Sequence, residues 1–506
     1  MEPADPSGFL EDAAHYPGGH ATGVVRPRSI DEVSAILRGP GRILPVGAQS
    51  SLTGGATPFG DLVLSTERLN AIDITGDRAR VGAGVPLQVL QDALAKSGRW
   101  FPPVPTYLGA FAGGAVATCA AGAATFKYGT VREWVDGLTI VLAGGEVLTL
   151  KRGEQFAAGD GTLRIGSRVI RIPPLQMPDV PKHSAGYFFK PKIDLIDLFI
   201  GSEGTLGVIA EAVFKTAPLP AAICRALVPV PSEELAIALA GELRAAAQHT
   251  WRSRDPDGID IAAIEHIDAR SIAVIREDGI DRKLDVALPS GASVVLLIDL
   301  ELPADDGTLW SQLESTREAE KDTPLLRFCR LLDRYGVLDD TAIALPSDRA
   351  RAAAFAELRE AVPAGVNRRV ALAKQKDPAI SKTAADMIVP FDRFGDMMAA
   401  CRRMFAERNL DLAVWGHISD GNVHPNVIPR DAGDAERGRD AILELGAAVI
   451  AMGGCPLAEH GVGRNPTKQQ LLRLLYGDDG INAMRAIKLS LDPRGALASG
   501  VIFPAQ

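Results

Sequence analysis

Hydrophobic and polar positions divide the chain into three textures. From about Gly23 to Pro218, short Val/Ile/Leu runs alternate with glycines, and long helical patterns are few. That texture predicts strands and tight loops. From about Ala221 to Asn409, strand-like runs such as "SVVLLIDLEL" alternate with helical ones such as "RARAAAFAELREAV". Beyond these lie two histidine-bearing stretches and a helical tail, "KQQLLRLLYG" and "GINAMRAIKLSL". Local signals mark element ends. In "RPRSIDEVSAILRG", Ser29 and Glu32 stand at capping-box spacing and Gly39 stops the helix. In "GAGVPLQVLQDALAKSG", Pro86 stands near a helix start and Gly98 at its end. The prolines of "TAPLPAAICRALVPVP" exclude regular helix and mark the crossing from the first texture to the second.

Composition narrows the class. A chain of 506 residues exceeds one simple core, so two or more domains are expected. An apolar fraction of 46% and a charged fraction of 23% are those of a soluble globular protein. The formal charge is -9 and no Lys/Arg-rich run stands out, so nothing favours nucleic acid as a partner. The five cysteines, Cys119, Cys224, Cys329, Cys401 and Cys455, form no C-x-x-C. This argues against an iron–sulfur cluster, a thiolate zinc site and a disulfide framework. It fits a reducing compartment, and a cytoplasmic location is expected. No signal peptide and no spanning helix are read. Peripheral contact with the inner face of a membrane is compatible with the pattern.

Candidate chemistry begins at "ILPVGAQSSLTGGATP", which follows a strand-like run. The small residues Gly47, Ala48, Ser50, Ser51, Gly54 and Gly55 let backbone N–H groups approach a diphosphate. The stretch is neither G-x-G-x-x-G nor G-x-x-x-x-G-K-[ST], and alone it reads more readily as a glycine-rich turn. Two further small-residue regions, "GAFAGGAVATCAAGAATFKYGTVRE" and "LFIGSEGTLGVIAEAVFK", lie in the same texture. Three such loops are hard to explain as independent turns.

Taken in order, "VVRPRSIDEV", "PVGAQSSLTGG", "GGAVAT…YGTVRE", "GLTIVLAGGEVL" and "GSEGTLGVI" resemble the successive motifs of the FAD-binding domain shared by vanillyl-alcohol oxidase and p-cresol methylhydroxylase. The resemblance implies an α+β fold. A two-subdomain FAD-binding domain would span 23–218, after an N-terminal segment, 1–22. A substrate domain with an antiparallel sheet covered by helices would span 219–454. Residues 455–506 would pack back on the FAD domain. It implies that Pro45, Gly47, Ala48, Gln49, Ser50, Ser51 and Leu52 wrap the FAD diphosphate. Gly109, Gly113, Gly114 and Thr118 correspond to a second FAD-contacting loop, and Tyr128 and Gly129 to its "YGT" motif. Glu203, Gly204 and Ile209 correspond to the segment beside the flavin and adenosine. Gln49-Ser50 stands where that family usually has Gly-Thr, which adds bulk near the phosphates. The first loop has no His and "PPVPTYLG" has no Cys, so the FAD is expected to be non-covalent.

The stretch "GHISDGNVHPN" carries His417 and His424 around an Asp-Gly-Asn centre. With Asp420-Gly421 as a two-residue hairpin loop, His417 would directly oppose His424 on one sheet face. Two imidazoles there can share one metal, with Asn426 on the same face. If the turn is Gly421-Asn422, His417 would oppose Asn426. Spacing alone leaves metal binding and two incidental histidines evenly balanced. "CPLAEHGVGR" adds Glu459, which can complete a His-His-Glu site with an open position. Its neighbour His460 has the intrinsic pKa of a base acting near neutral pH.

These two stretches resemble the G-H-x-G-D-G-N-x-H-x-N and E-H-G-[IV]-G motifs of the D-lactate, glycolate and D-2-hydroxyglutarate dehydrogenase branch. The resemblance implies His417, His424 and Glu459 as metal ligands, His460 as base and Asn426 near the substrate. Ser419 replaces the usual Gly. "ELREAVP" is similar to the branch's R-E-x-[VI]-P motif and makes Arg359 the substrate-carboxylate clamp; Lys382 matches a second cation position. "DPRGALASGVIFP" departs from L-N-P-G-K at Ala498 and Ser499. The implied activity is oxidation of a D-2-hydroxy acid by hydride transfer to flavin N5, assisted by a divalent metal. Zinc suits the ligands; manganese, iron and cobalt are compatible. The expected partners are the hydroxy acid and an electron acceptor, which would be an electron-transfer protein, a cytochrome or a quinone. A second copy in a homodimer is also expected. Two other readings share the scaffold. One is a metal-free flavin oxidase or alkyl-transfer enzyme, and the other is a non-catalytic FAD-binding subunit.

Overall fold

Sequence-local signals set the element ends. The Ser29 side chain accepts the N–H of Glu32 at 3.2 Å and starts the helix Ile30–Arg38, which Gly39 ends. Pro86 precedes the helix Leu87–Ala95, and Gly98, at φ +67°, turns the chain away. In the C-terminal tail, Pro466–Leu491 is broken at Gly477, whose φ of 67° and ψ of 177° no helix admits. The computed structural model describes residues 3–103, 105–166, 168–303 and 322–504.

The chain divides into two units. The first comprises Met1–Ala124, Tyr128–Leu219 and Leu457–Gln506. It holds a three-stranded parallel sheet, in which Phe59–Ser65 lies between His20–Val25 and Ile43–Val46. It also holds a five-stranded antiparallel sheet with Val208–Lys215 at its centre. Val33 and Leu37 of the first helix pack with Ile43, Leu64, Val141, Val208 and Leu497. Residues from both sheets and the C-terminal segment therefore share one core.

The second unit comprises Thr125–Lys127 and Pro220–Pro456. Its seven-stranded antiparallel sheet runs in the order Ala342–Ala344, Ala222–Val230, Val294–Leu302, Asp260–Asp268, Leu412–His417, Asn422–Val427, Met387–Ile388. The helix Arg349–Lys376 buries Phe355, Leu358, Val362, Val366 and Val370 against it, a stripe at helical spacing. Pro363 lies inside this helix and removes the amide that would bond the Arg359 carbonyl. Among the described residues no helix is long and apolar enough to cross a membrane.

Candidate active site

In the first unit the three glycine-bearing loops converge. A Cβ on Gly47 would stand 3.5 Å from Phe111, so the first loop lies against the second. The N–H groups of Gly201 and Glu203 donate to the carbonyls of Val116 and Ala117 at 3.0 and 2.8 Å, tying the third loop to the second. A Cβ on Gly204 would stand 3.3 Å from Pro45, which closes the circuit. Glycine is required at Gly113, where a Cβ would sit 2.6 Å from Ala83. At Gly114 a Cβ would meet nothing within 4 Å, so this side of the loop faces open space. Among the described residues, the N–H groups of Ala48, Ser50 and Leu52 enter none of the first loop's hydrogen bonds. Amides left over in a loop of small residues are what a diphosphate needs, and the loop fits FAD on that ground.

Gln49 does not crowd this loop with its side chain. At φ +54°, it sends its amide to the Glu11 carbonyl, 2.7 Å away. The N–H groups of Ala13 and Ala14 bond the carbonyls of Gln49 and Ser51. The N-terminal segment thus accommodates the departure from Gly-Thr. Tyr128 packs edge-on against Trp100, its carbonyl takes the Trp134 indole N–H at 2.7 Å, and Gly129 turns at φ +74°. Gly109 lies against the Tyr107 ring, the Thr118 hydroxyl donates to the Gly114 carbonyl, and Ile209 pairs with Ile140 in the five-stranded sheet.

The same unit carries Glu459 and His460. The buried Lys182 ammonium pairs with Glu459 Oε1 at 2.5 Å. His460 Nε2 stands 3.8 Å from Glu459 Oε2, on a residue at φ +70°. Glu203 accepts the N–H groups of Val462 and Gly463, both at 2.8 Å. Burial pushes its carboxyl up to about 7, against the pull of those two bonds. Its side chain is therefore directed at the C-terminal loop. Arg464 donates to the carbonyls of Thr57 and Ser499, which gives the altered Ala498-Ser499 stretch a defined contact.

In the second unit the hairpin differs from the expected one. Trp415, not His417, opposes His424, and His417 opposes Glu265 on the neighbouring strand Asp260–Asp268. The chain does not turn at two residues. Ile418–Asp420 forms a 3₁₀ turn ending at Gly421, φ +80°, where a Cβ would sit 2.2 Å from the Val389 carbonyl oxygen. The register therefore slips by two residues, and a slip of two preserves the face. The two imidazoles still meet, with ring centroids 5.5 Å apart at 88°. Ser419 is not among the residues with positive φ, and its carbonyl accepts Arg244 Nε at 2.7 Å.

Each imidazole has a carboxylate on the same nitrogen. His424 Nδ1 lies 2.6 Å from Asp386, and His417 Nδ1 bonds Glu265. Burial opposes the charge of Glu265, but Arg359 and His417 outweigh it and hold the carboxyl well below the usual range. An ionised carboxylate only accepts, so each Nδ1 donates and each Nε2 keeps its lone pair. Two imidazoles oriented in this way by carboxylates form the donor arrangement of a metal site, and they fit one. Arg359 is partly buried and gives Nε to Glu265 at 2.9 Å and Nη1 to Glu360 at 2.7 Å. Asn426 donates to the His424 carbonyl at 3.0 Å, and its Oδ1 is buried with no protein partner among the described residues. The Lys382 side chain is exposed.

Sequence reasoning missed Glu265, Asp386 and Lys182. Asp386 lies four residues after Lys382, and Lys182 opens "KHSAGY". Glu265 carries no local signal, because its role depends on strand pairing.

Known proteins align with this arrangement along nearly the whole chain. The FAD binding domain family matches residues 21–151, and the family described as FAD linked oxidases, C-terminal domain, matches 231–502. The chain is 30% identical to glycolate oxidase subunit GlcD of Bacillus subtilis (strain 168) over 493 residues, 95% of this chain and 88% of that one. It is 27% identical to a D-lactate dehydrogenase of Archaeoglobus fulgidus, covering 95% and 90% of the two chains. It is also 27% identical to a D-2-hydroxyglutarate dehydrogenase of Xanthomonas citri pv. viticola, covering 99% and 93%. The fold is similar to that of an alkyldihydroxyacetonephosphate synthase, with a TM-score of 0.55 at 15% identity over 94% of this chain and 76% of that one. Matched from residue 231 to 502 by one family and over 95% of its length by a 30% identical relative, this chain belongs to the FAD-linked oxidases and is an FAD-linked oxidoreductase.

Proposed function

We propose that the protein is a metal-assisted dehydrogenase of a D-2-hydroxy acid. The observation that carries this reading is the pair of carboxylates on Nδ1 of His417 and His424. Structural histidines do not need two buried carboxylates setting both tautomers alike, whereas metal-ligating ones regularly have them. The E-H-G motif makes Glu459 the third ligand in this reading, and two imidazoles with one carboxylate make a set able to hold zinc or a similar divalent ion. The names of the relatives, glycolate oxidase and D-lactate and D-2-hydroxyglutarate dehydrogenases, supply the substrate class.

In this reading His460 takes the hydroxyl proton of the substrate. Arg359 has five N–H groups and commits two of them to Glu265 and Glu360, so it retains donors for a carboxylate. Asn426 offers its buried Oδ1 as an acceptor. FAD, held by the first unit, supplies the hydride-accepting N5. A divalent ion supplies Lewis acidity that favours the alkoxide form of the hydroxyl. Electrons then leave to a separate acceptor, a protein or a quinone. A homodimer in the cytoplasm is part of the proposal; no disulfide joins any of the five cysteines, which suits a reducing compartment.

The test is anaerobic bleaching of the bound flavin by a panel of D- and L-2-hydroxy acids, with and without a chelator. Stereoselective bleaching that the chelator abolishes and added metal restores is the expected result. A fully active metal-free enzyme would overturn the metal. Flavin that no hydroxy acid reduces would overturn the substrate class.

A further inference from the structure

The loop Leu457–Arg464 is strained and held at several of its backbone groups. His460 has φ +70°, a conformation that is unfavourable for a non-glycine residue and persists only where surroundings enforce it. Ser184 enforces it from one side, accepting the Gly461 N–H at 3.1 Å. Lys468 donates to the carbonyls of Glu459 and Gly461 at 3.1 and 3.3 Å. The largest constraint is Glu203, whose two oxygens each take one of the successive N–H groups of Val462 and Gly463 at 2.8 Å. The approach is specific to glycine, because a Cβ on Gly461 would stand 2.7 Å from the Glu203 carboxyl carbon. Glu203 is itself at φ +51°, and its N–H is fixed to the Ala117 carbonyl of the second glycine loop. A rigid link thus runs from the second glycine loop through Glu203 to the residues that follow His460.

From this link we propose that Glu203 is a positioning residue for His460, fixing the backbone that aims the imidazole, and that its side chain is not a cofactor ligand. The inference rests on the reading of His460 as the base. The glutamate of "GSEGTLG" couples the flavin-side loops to that base.

The experiment uses full-length, FAD-loaded protein with Glu203→Gln. The glutamine side chain keeps the size but offers one acceptor where two are needed. Three quantities are read: FAD content, amide hydrogen exchange of peptides covering 457–464, and flavin reduction by a hydroxy acid across pH. FAD content should be unchanged. Exchange in 457–464 should rise at least tenfold. The limiting rate of reduction should fall at least tenfold, with less than a twofold change in half-saturation and a displaced pH profile. Ser184→Ala, which loosens the same loop without touching Glu203, should show the same pattern at smaller amplitude and serves if the glutamine variant does not fold. Loss of FAD with unchanged exchange would overturn the proposal in favour of a cofactor ligand. Unchanged exchange with an unchanged reduction rate would overturn it as well. Should no hydroxy acid reduce the wild-type flavin, the exchange and FAD arms still decide what Glu203 holds.

Discussion

The Asp386 carboxylate, one residue before a strand that pairs with the one carrying the histidine, stands 2.6 Å from Nδ1 of His424. That bond fixes the tautomer and leaves Nε2 as the donor. Asp386→Ala should therefore weaken divalent metal affinity about 10–100-fold, the usual consequence of losing such a partner. Competition against a chromophoric chelator measures it. Affinity unchanged in this variant would remove His424 from the site.

Arg359 and Glu265 form a second buried pair, with Nε and Oε2 2.9 Å apart and side chains 13% and 7% exposed. Removing the arginine alone leaves a buried carboxylate that keeps its bond to His417 but loses its cationic partner. Arg359→Met should cost about 3 kcal/mol in denaturant unfolding, the lower end for a broken buried pair. The double variant Arg359→Met/Glu265→Gln should regain part of that loss, because both charges leave together. Arg359→Lys should restore stability better than activity, since an ammonium lacks the fork that grips two carboxylates at once. A lysine variant as active as the wild type would exclude the clamp role.

Local and non-local features differ in how far the sequence reveals them. Ser29, Pro86, Gly39 and Gly98 act within one turn of the helices they bound, and all four act as their spacing predicts. The three glycine loops were legible because backbone access demands small residues wherever the loops lie. The hairpin register was not legible. It depends on Gly421 fitting beneath the Val389 carbonyl, a residue more than thirty positions earlier. The face survived the misreading only because the slip was even. Glu265, Asp386 and Lys182 escaped for the same reason as the register: each acts on a partner distant in the chain. Glu203 was legible as part of a motif, but its side chain serves the backbone of Val462 and Gly463.

The N-terminal segment carries a prediction of its own. Asp12 is 3% exposed, its carboxylate takes the Ala14 N–H at 3.2 Å, and its own N–H donates to the Thr57 hydroxyl. These contacts hold Ala13 and Ala14 against the carbonyls of Gln49 and Ser51. Asp12→Ala should loosen the first glycine loop and weaken FAD binding by about tenfold, a loss of roughly one or two hydrogen bonds. Gln49→Thr should act in the same direction, losing the bond to the Glu11 carbonyl. Flavin fluorescence titration of the apoprotein reads both. Unaltered affinity in the two variants would show that the loop keeps its shape without the segment.

Acid stability has a contribution from Asp434, in the first turn of the helix that supports the strand of His424. Its helix, Ala432–Ala451, packs Gly438 so closely on Val427 and Thr383 that a Cβ there would come within 2.9 Å of Val427. Val427 ends the strand that carries His424. Asp434 accepts from Arg430 Nε at 2.7 Å and from the Arg430 N–H at 2.9 Å, and Arg437 adds a third partner. Bonds to Arg430 lower its carboxyl to about 2 against the opposing effect of burial. A depressed pKa means that the unfolded chain binds the proton first as pH falls. The stabilisation is thus complete above the ordinary carboxylate range and is lost as pH falls through about 4 towards 2. Both arginines are about half exposed, with side chains 52% and 46% accessible, so screening reduces the gain to about 1–2 kcal/mol. Asp434→Asn should lower the urea midpoint at pH 7, and the gap to wild type should narrow steadily from pH 4 downward. A gap that stays constant between pH 6 and pH 3 would mean that Asp434 acts through the shape and hydrogen-bond geometry of its side chain, not through its charge.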